Sequence, residues 1–104
     1  MVTRVAGSAV TVLVHGAFGA LLDIIESRHH DHLMPNPETG EPAFIWRGRE
    51  GFIFEAWNDR DMTYGVLKDA LAATYTYMLK NGWGEAFITI WDNDLQVGEG
   101  RILG

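Results

Sequence analysis

The stretch from Asp61 to Gly82 carries the most regular pattern of apolar and polar positions in the chain. Residues able to form one buried stripe recur there at three- and four-residue spacing: Leu67, Ala70, Leu71, Thr74, Tyr75 and Met78. This spacing predicts an amphipathic helix over residues 63–81. Thr63 can cap its first turn and Asn81-Gly82 can end it. The predicted helix is a scaffold element, because it contains no recognisable catalytic group.

Short apolar runs rich in aromatic and β-branched residues flank this helix on both sides. Two of them, residues 43–46 and 51–57, precede it, and two others, residues 86–91 and 95–103, follow it. Such runs predict β-strands, and the turn Asp92-Asn93-Asp94 predicts that the last two form a hairpin. The order β-β-α-β-β predicts an α+β domain in which a four-stranded antiparallel sheet packs on one main helix.

The N-terminal residues 5–25 are almost entirely apolar, with His15 the only ionisable side chain before Asp23. They form either one long helix, whose small residues allow close packing, or a strand over residues 9–14 followed by a helix. A membrane-spanning helix is less favoured, because the stretch barely reaches the required length and contains several glycines. A signal peptide is least favoured, because no small-x-small cleavage site precedes the acidic residues. We therefore expect this element to be buried in a soluble fold.

The length of 104 residues predicts a single domain, residues 1–104, with one modest core. Within it, residues 1–34 form the apolar N-terminal element with a histidine-rich end. Residues 35–42 contain every proline of the chain and form a loop. Residues 43–104 form the β-β-α-β-β core.

The charge and the cysteine content exclude several classes of function. Eight basic and fourteen acidic side chains give a net charge of −6, and the arginines are scattered. We therefore expect no nucleic-acid partner, and we do not favour binding to an anionic membrane, because both require a basic face. The absence of cysteine excludes a disulfide framework and thiolate chemistry. It also favours an intracellular location, although an extracellular one stays open if the chain assembles.

The histidine-rich segment 29–32 is the one candidate metal site in the sequence. His29 and His32 have the i, i+3 spacing that places two ligands on one helix face, and Asp31 adds a carboxylate. No second ligand cluster elsewhere completes a coordination shell, so a solvated helix end is the preferred interpretation. We therefore predict no metal and no cofactor.

The sequence contains no complete catalytic constellation. Residues 12–23 resemble the strand and His-Gly turn of α/β-hydrolases, but a G-x-S-x-G nucleophile motif is absent and the chain is too short for that fold. Glu55 lies within an aromatic strand, where a cross-strand ion pair with a nearby arginine is the simplest role for it. We therefore predict that the protein is not an enzyme.

The chain has more apolar surface than one helix can cover, with four Trp and five Phe among its 104 residues. The second face of the sheet must be covered by the N-terminal element or by another copy of the chain, because a large exposed patch is unusual on a monomer. We therefore predict a structural protein that self-assembles into a homo-oligomer or polymer. The predicted interface residues are Val10, Val12, Val14, Phe18, Leu21, Ile25, Trp57 and Trp91. A small-ligand or carbohydrate-binding module that uses the Trp/Tyr-rich face is the alternative, and a membrane-associated small protein is the third hypothesis.

Three segments, residues 63–67, 84–92 and 98–102, carry a family resemblance. They resemble small uncharacterised proteins of filamentous fungi, which share a T-[WY]-G-V-L helix start, a strand that ends in an acidic turn, and a G-x-G-x-[IL] terminal strand. The resemblance covers about forty residues and leaves out the apolar N-terminal segment. It implies a fungal origin and a shared fold core, and it transfers no activity and no catalytic residue.

Overall fold

The computed structural model describes residues 2–27, 33–35, 40–48 and 51–104, and of residues 2–9 the backbone only. In this part of the chain the elements are α1 Val2–Ser27, β1 Phe44–Arg47, β2 Ile53–Asn58, α2 Tyr64–Asn81, β3 Ala86–Asp92 and β4 Leu95–Leu103. The four strands form one antiparallel sheet. The predicted α+β fold with a four-stranded antiparallel sheet is therefore confirmed.

The spatial order of the strands is β1-β2-β4-β3. Because β4 pairs antiparallel with both β2 and β3, these two strands run parallel to each other, and α2 connects them across β4. The register between β3 and β4 shifts between Ile90 and Trp91, which leaves Val97 as an extra residue on β4. The carbonyl of Val97 accepts hydrogen bonds from Asp59 N and Arg60 N, at 2.9 and 3.1 Å. The bulge thus also holds the segment between β2 and α2.

Helix α2 lies close to the range that the apolar spacing predicts. Thr63 is its N-cap, and its hydroxyl oxygen accepts a hydrogen bond from Val66 N at 3.2 Å. The helix ends at Gly82, which has a positive φ of 102° and donates its N–H to Met78 O at 2.9 Å. The side chains that α2 buries are Leu67, Leu71, Thr74 and Met78, four members of the predicted stripe.

The N-terminal element is one long helix, which resolves the two alternatives that the sequence leaves open. Its buried side chains follow helical spacing: Val10, Leu13, Val14, Ala17 and Leu21. Helix α1 packs against α2, β1 and β2. Both helices therefore lie on the same face of the sheet, and α1 does not cover the opposite face.

Helix α1 is also long and apolar enough, by length and composition, to cross a membrane. Among the described residues, one 18-residue window, Val10–Ser27, meets this test, and 28% of it is buried inside the protein. The core helix of a soluble protein and a signal sequence meet the same test. The contacts of α1 with α2 and the sheet show what it packs against in this fold.

Asn58, at the end of β2, joins three segments by side-chain hydrogen bonds. Its side chain is buried, and its Nδ2 donates to Met34 O at 2.9 Å. Its Oδ1 accepts from Met62 N at 3.0 Å. Met34 N in turn donates to Met62 O at 2.9 Å. One amide therefore fixes the segment 33–35 and the approach to α2 against the sheet.

The packing of α1 on β1 gives a prediction from two glycines of the same helix. Alanine stabilises a helix by about 0.5–1 kcal/mol relative to glycine. A Cβ at Gly19 would meet nothing within 4 Å, so Gly19→Ala should raise the free energy of unfolding by that amount. A Cβ at Gly16 would lie 2.5 Å from Trp46 Nε1, so the indole would have to shift. Gly16→Ala should therefore not raise the free energy of unfolding. Urea unfolding measures both, and equal stabilisation would contradict the packing of α1 on β1.

Candidate functional site

Neither helix covers the opposite face of the sheet in the described structure. On β2, Phe54, Ala56 and Asn58 are buried towards the helices, so the alternating residues Ile53, Glu55 and Trp57 point to the other side. The cross-strand register extends this second face over all four strands. We call it the open face, and its members used below are Ile45, Glu55, Trp57, Phe87, Thr89, Trp91, Glu99 and Arg101.

An ion pair lies at the centre of the open face. Arg101 Nη2 and Glu55 Oε1 are 3.3 Å apart, and their side chains are 34% and 14% exposed. The guanidinium carbon of Arg101 lies 5.0 Å from the ring centroid of Trp57, in cation–π range. Arg101 Nε is buried and has no hydrogen-bond partner among the described groups. Because both side chains are largely removed from water, the cost of desolvation offsets much of the attraction between the charges, and the pair is weak evidence of stability. Its main effect is to hold a polar group among aromatic rings.

The β3 side of the open face is aromatic and exposed. Phe87 is 73% exposed and Trp91 is 55% exposed, so both rings are mostly in contact with water. Trp91 Nε1 donates to Thr89 Oγ1 at 3.2 Å, which places these two side chains on the same side of β3. Clustered apolar surface of this kind is typical of an interaction site.

The outer edge of β3 adds hydrogen-bonding groups to this aromatic surface. No described strand pairs with this edge, so it presents free backbone N–H and C=O groups. The strand AFITIWD contains no lysine and no proline, and its one charge, Asp92, lies at its end. The opposite edge strand, β1, has four residues and ends in Arg47. Natural sheets protect their edges with short strands and charged residues. Strand β1 has this protection. Strand β3 does not, because it is longer and has no charged residue before its last position.

A groove runs between β3 and α2 and leaves this edge accessible. Its volume is about 820 Å³. Asp69, Ala73 and Tyr77 line the groove from α2, and all residues of β3 line it from the sheet. The groove gives a second strand room to reach β3.

A smaller groove of about 270 Å³ lies between the two helices. Val14, Phe18 and Leu71 give it a mostly apolar lining. The His15 ring makes an edge contact with Tyr75, with ring centroids 4.9 Å apart. This arrangement offers burial to an apolar group but no convergent set of polar groups.

The structure separates the predicted interface residues into two sets. Val10, Val14 and Leu21 belong to the core of the chain itself, so in this fold they are not available to a second copy. On the same helix Val12 is exposed, whereas Phe18 and Ile25 are half-buried. Trp57 and Trp91 lie on the open face. The buried α1 members of the predicted interface therefore pack inside the chain, on the side of the sheet that the helices cover, and the interface itself stays a prediction.

The sequence did not single out Phe87, Ile45 or the edge of β3 as interface members. Both alternating sets along β3, Phe87/Thr89/Trp91 and Ala86/Ile88/Ile90, are mainly apolar, so hydrophobicity alone does not show which of them faces the helices. The signal that does so lies on β4. There Gly98 and Gly100 alternate with the charged Glu99 and Arg101, and a charged face is the one turned to solvent.

The candidate metal ligands His29, Asp31 and His32 lie outside the described residues. Within the residues that the structure describes, no group of three or more His, Asp or Glu side chains converges on a metal-sized site. The most buried carboxylate of the open face, Glu55, is already paired with Arg101.

Compared with protein-family models, curated proteins and solved structures, the chain shows no significant match. Any function assigned to the open face and to the β3 edge rests on their geometry and composition.

Proposed function

We propose that this chain is a non-enzymatic structural protein that self-associates through the open face and the edge of β3. One observation carries the proposal. Both helices pack on the same face of the sheet, so Phe87 and Trp91 stay exposed beside a strand edge that no described element pairs. A second copy of the chain can cover the rings and satisfy the backbone groups at the same time.

The size of the apolar surface indicates that association depends on concentration. Burial of the exposed parts of Phe87 and Trp91 in two copies contributes about 4–8 kcal/mol, at about 1.5–3 kcal/mol for the complete burial of one large apolar side chain. Association costs about 4–15 kcal/mol of translational and rotational freedom. The aromatic rings alone roughly balance this cost, so the hydrogen bonds of the strand edge decide the outcome. We therefore expect the fraction of associated protein to rise with concentration.

Light scattering behind a sizing column tests the proposal on the full chain. The mass should rise with concentration, and Trp91→Lys should lower it, because a charge on this surface must be desolvated in the contact. Leu79→Lys is the matched control, since Leu79 is exposed to a similar degree, 59% against 55%, but lies on α2. The full chain is required, because α1 contributes Leu13 and Ala17 to the core.

Two outcomes would contradict self-association through this surface. The first is a monomeric mass for the unaltered chain at every concentration. The second is an equal loss of mass for Trp91→Lys and Leu79→Lys, since this would place the contact elsewhere or reflect a general effect of the added charge.

A carbohydrate or small planar ligand is the second candidate occupant of the open face. The observation in its favour is the stacking of Arg101 on Trp57 beside Glu55, since flat aromatic surfaces with fixed polar groups suit such ligands. A monomeric protein whose tryptophan fluorescence shifts as a sugar is titrated would favour this function over self-association. Membrane association ranks third, because α1 would have to withdraw its buried side chains from the core.

A further inference from the structure

We propose that two copies of this chain pair along β3 in antiparallel fashion, with the two-fold axis at Thr89. This inference rests on the proposed self-association and specifies its geometry. The occupant of the β3 edge is thus β3 of the second copy, and the two sheets join into one sheet of eight strands.

The turn between β3 and β4 determines which peptide groups of β3 point outward. Asp92 pairs with Leu95 across a two-residue turn, and such a closing pair exchanges hydrogen bonds within the hairpin. The peptide groups alternate along an antiparallel strand. The bulge residue Val97 belongs to β4, so the alternation along β3 is uninterrupted. The N–H and C=O groups of Phe87, Thr89 and Trp91 therefore face the free edge.

Strand β3 is complementary to itself about its midpoint. With the axis at Thr89, all seven residues of β3 are paired. Phe87 then lies opposite Trp91 of the second copy, and Thr89 lies opposite Thr89. Aromatic and threonine pairs of this kind stabilise neighbouring strands. The one charge of the strand, Asp92, lies opposite Ala86, so no like charges oppose each other.

Other registers satisfy these conditions less well. A shift of one residue places Phe87 opposite Ile90, which would pair a residue of the open face with one buried under the helices. A shift of two residues places the axis at Ile88 or Ile90 and breaks the pairing of aromatic rings. With the axis at Thr89, every residue of β3 has a partner, and the open face and the helix-covered face of one copy each continue into the same face of the other.

The same geometry limits the assembly to a dimer. A two-fold contact uses the same surface on both copies, so it occupies both β3 edges and closes. The ends of the joined sheet are then the two β1 strands, each of four residues. The grooves beside β3 face each other across the axis, where Tyr77 of each copy, 65% exposed, can contact the other.

Disulfide crosslinking of full-length single-cysteine variants tests this register, and the chain has no native cysteine to interfere. In a hydrogen-bonded antiparallel pair the opposed Cα atoms are about 5.5 Å apart, within the range of a disulfide. Thr89→Cys should therefore form a covalent dimer under mild oxidation. Glu99→Cys is the matched control, because Glu99 is exposed on the same face and pairs with Thr89 within one copy. In the proposed dimer the two Cα atoms at position 99 would be about 15 Å apart, because three strand spacings of about 4.8 Å separate the two β4 strands.

The outcomes distinguish the register from the proposed function. A covalent dimer for Thr89→Cys and not for Glu99→Cys supports the pairing at Thr89. If light scattering shows association but Thr89→Cys does not crosslink, or Glu99→Cys crosslinks equally, the chain self-associates and the edge pairing is wrong. A mixed disulfide that forms preferentially between Thr89→Cys and Phe87→Cys chains would overturn the axis at Thr89 in favour of Ile88. A monomeric mass at every concentration overturns both the pairing and the proposed function.

Discussion

Replacement of Asn58 by leucine is expected to lower the free energy of unfolding by about 2–6 kcal/mol, because two buried backbone groups lose their partner at about 1–3 kcal/mol each. These groups are the carbonyl of Met34 and the N–H of Met62. The side chain of Asn58 is buried and contacts Met34 and Met62, so water cannot replace it without opening the structure. Urea unfolding followed by far-UV circular dichroism measures the effect.

Two further variants show whether this loss comes from the hydrogen bonds. Asn81→Leu is the same change at an exposed position, where the side chain makes one bond to Tyr77 O. We expect it to cost no more than about 0.5 kcal/mol, as for most surface substitutions. Asn58→Asp keeps the acceptor for Met62 N but, when ionised, has no donor for Met34 O, so its loss should be intermediate. Equal stability of Asn58→Leu and Asn81→Leu would show that the bonds of Asn58 do not hold these segments.

The local elements could be predicted from the sequence because their signals are local. Helix α2 has its cap at Thr63, its apolar spacing and its stop at Gly82 within one continuous stretch. The side of the sheet that α1 covers could not be predicted in this way. The apolar stripe of α1 shows that the helix must be buried, but any apolar surface would satisfy it. The choice of face depends on contacts between residues far apart in the chain, such as Gly16 with Trp46.

The candidate site could be predicted in part. Two of the predicted interface residues, Trp57 and Trp91, lie on the open face. The glycines of β4 explain why the other set on β3 is buried. A Cβ at Gly100 would lie 2.9 Å from Ile88 Cγ1 and 3.3 Å from Phe54 Cε1. Glycine at this position makes room for large side chains on the covered face, and the aromatic side chains Phe87 and Trp91 are left on the other.

The edge role of β3 could not be predicted from the sequence, since it depends on the order of the strands in space. In a simple meander β4, the last strand, would be at the edge. Here α2 connects β2 to β3, and β3 is not the neighbour of β2 in the sheet. Strand β4 lies between them, so β3 is at the edge. The long apolar strand AFITIWD therefore lies at the edge, where its composition favours pairing with another strand.

Replacement of Phe54 by alanine is expected to lower the free energy of unfolding by about 3–5 kcal/mol, the usual cost of removing a buried phenylalanine ring. Phe54 is fully buried on β2 and its ring centroid lies 6.1 Å from that of Phe44. A loss of this size is a large share of the stability of a small domain, about 5–15 kcal/mol. Thermal unfolding should show a strongly lowered midpoint.

Phe87→Ala makes the same chemical change on the opposite face and separates folding from association. Phe87 is 73% exposed, so its removal should change the stability of the isolated chain by no more than about 0.5 kcal/mol. In the proposed dimer its ring lies against Trp91 of the second copy, and two rings are lost per dimer. Loss of about 1–2 kcal/mol from each copy, about 2–4 kcal/mol per dimer, should raise the dissociation constant by about 30- to 700-fold. A Phe87→Ala chain that unfolds as readily as Phe54→Ala would contradict the assignment of the two faces. A Phe87→Ala chain that associates as tightly as the unaltered chain would show that the aromatic surface of β3 is not part of the contact.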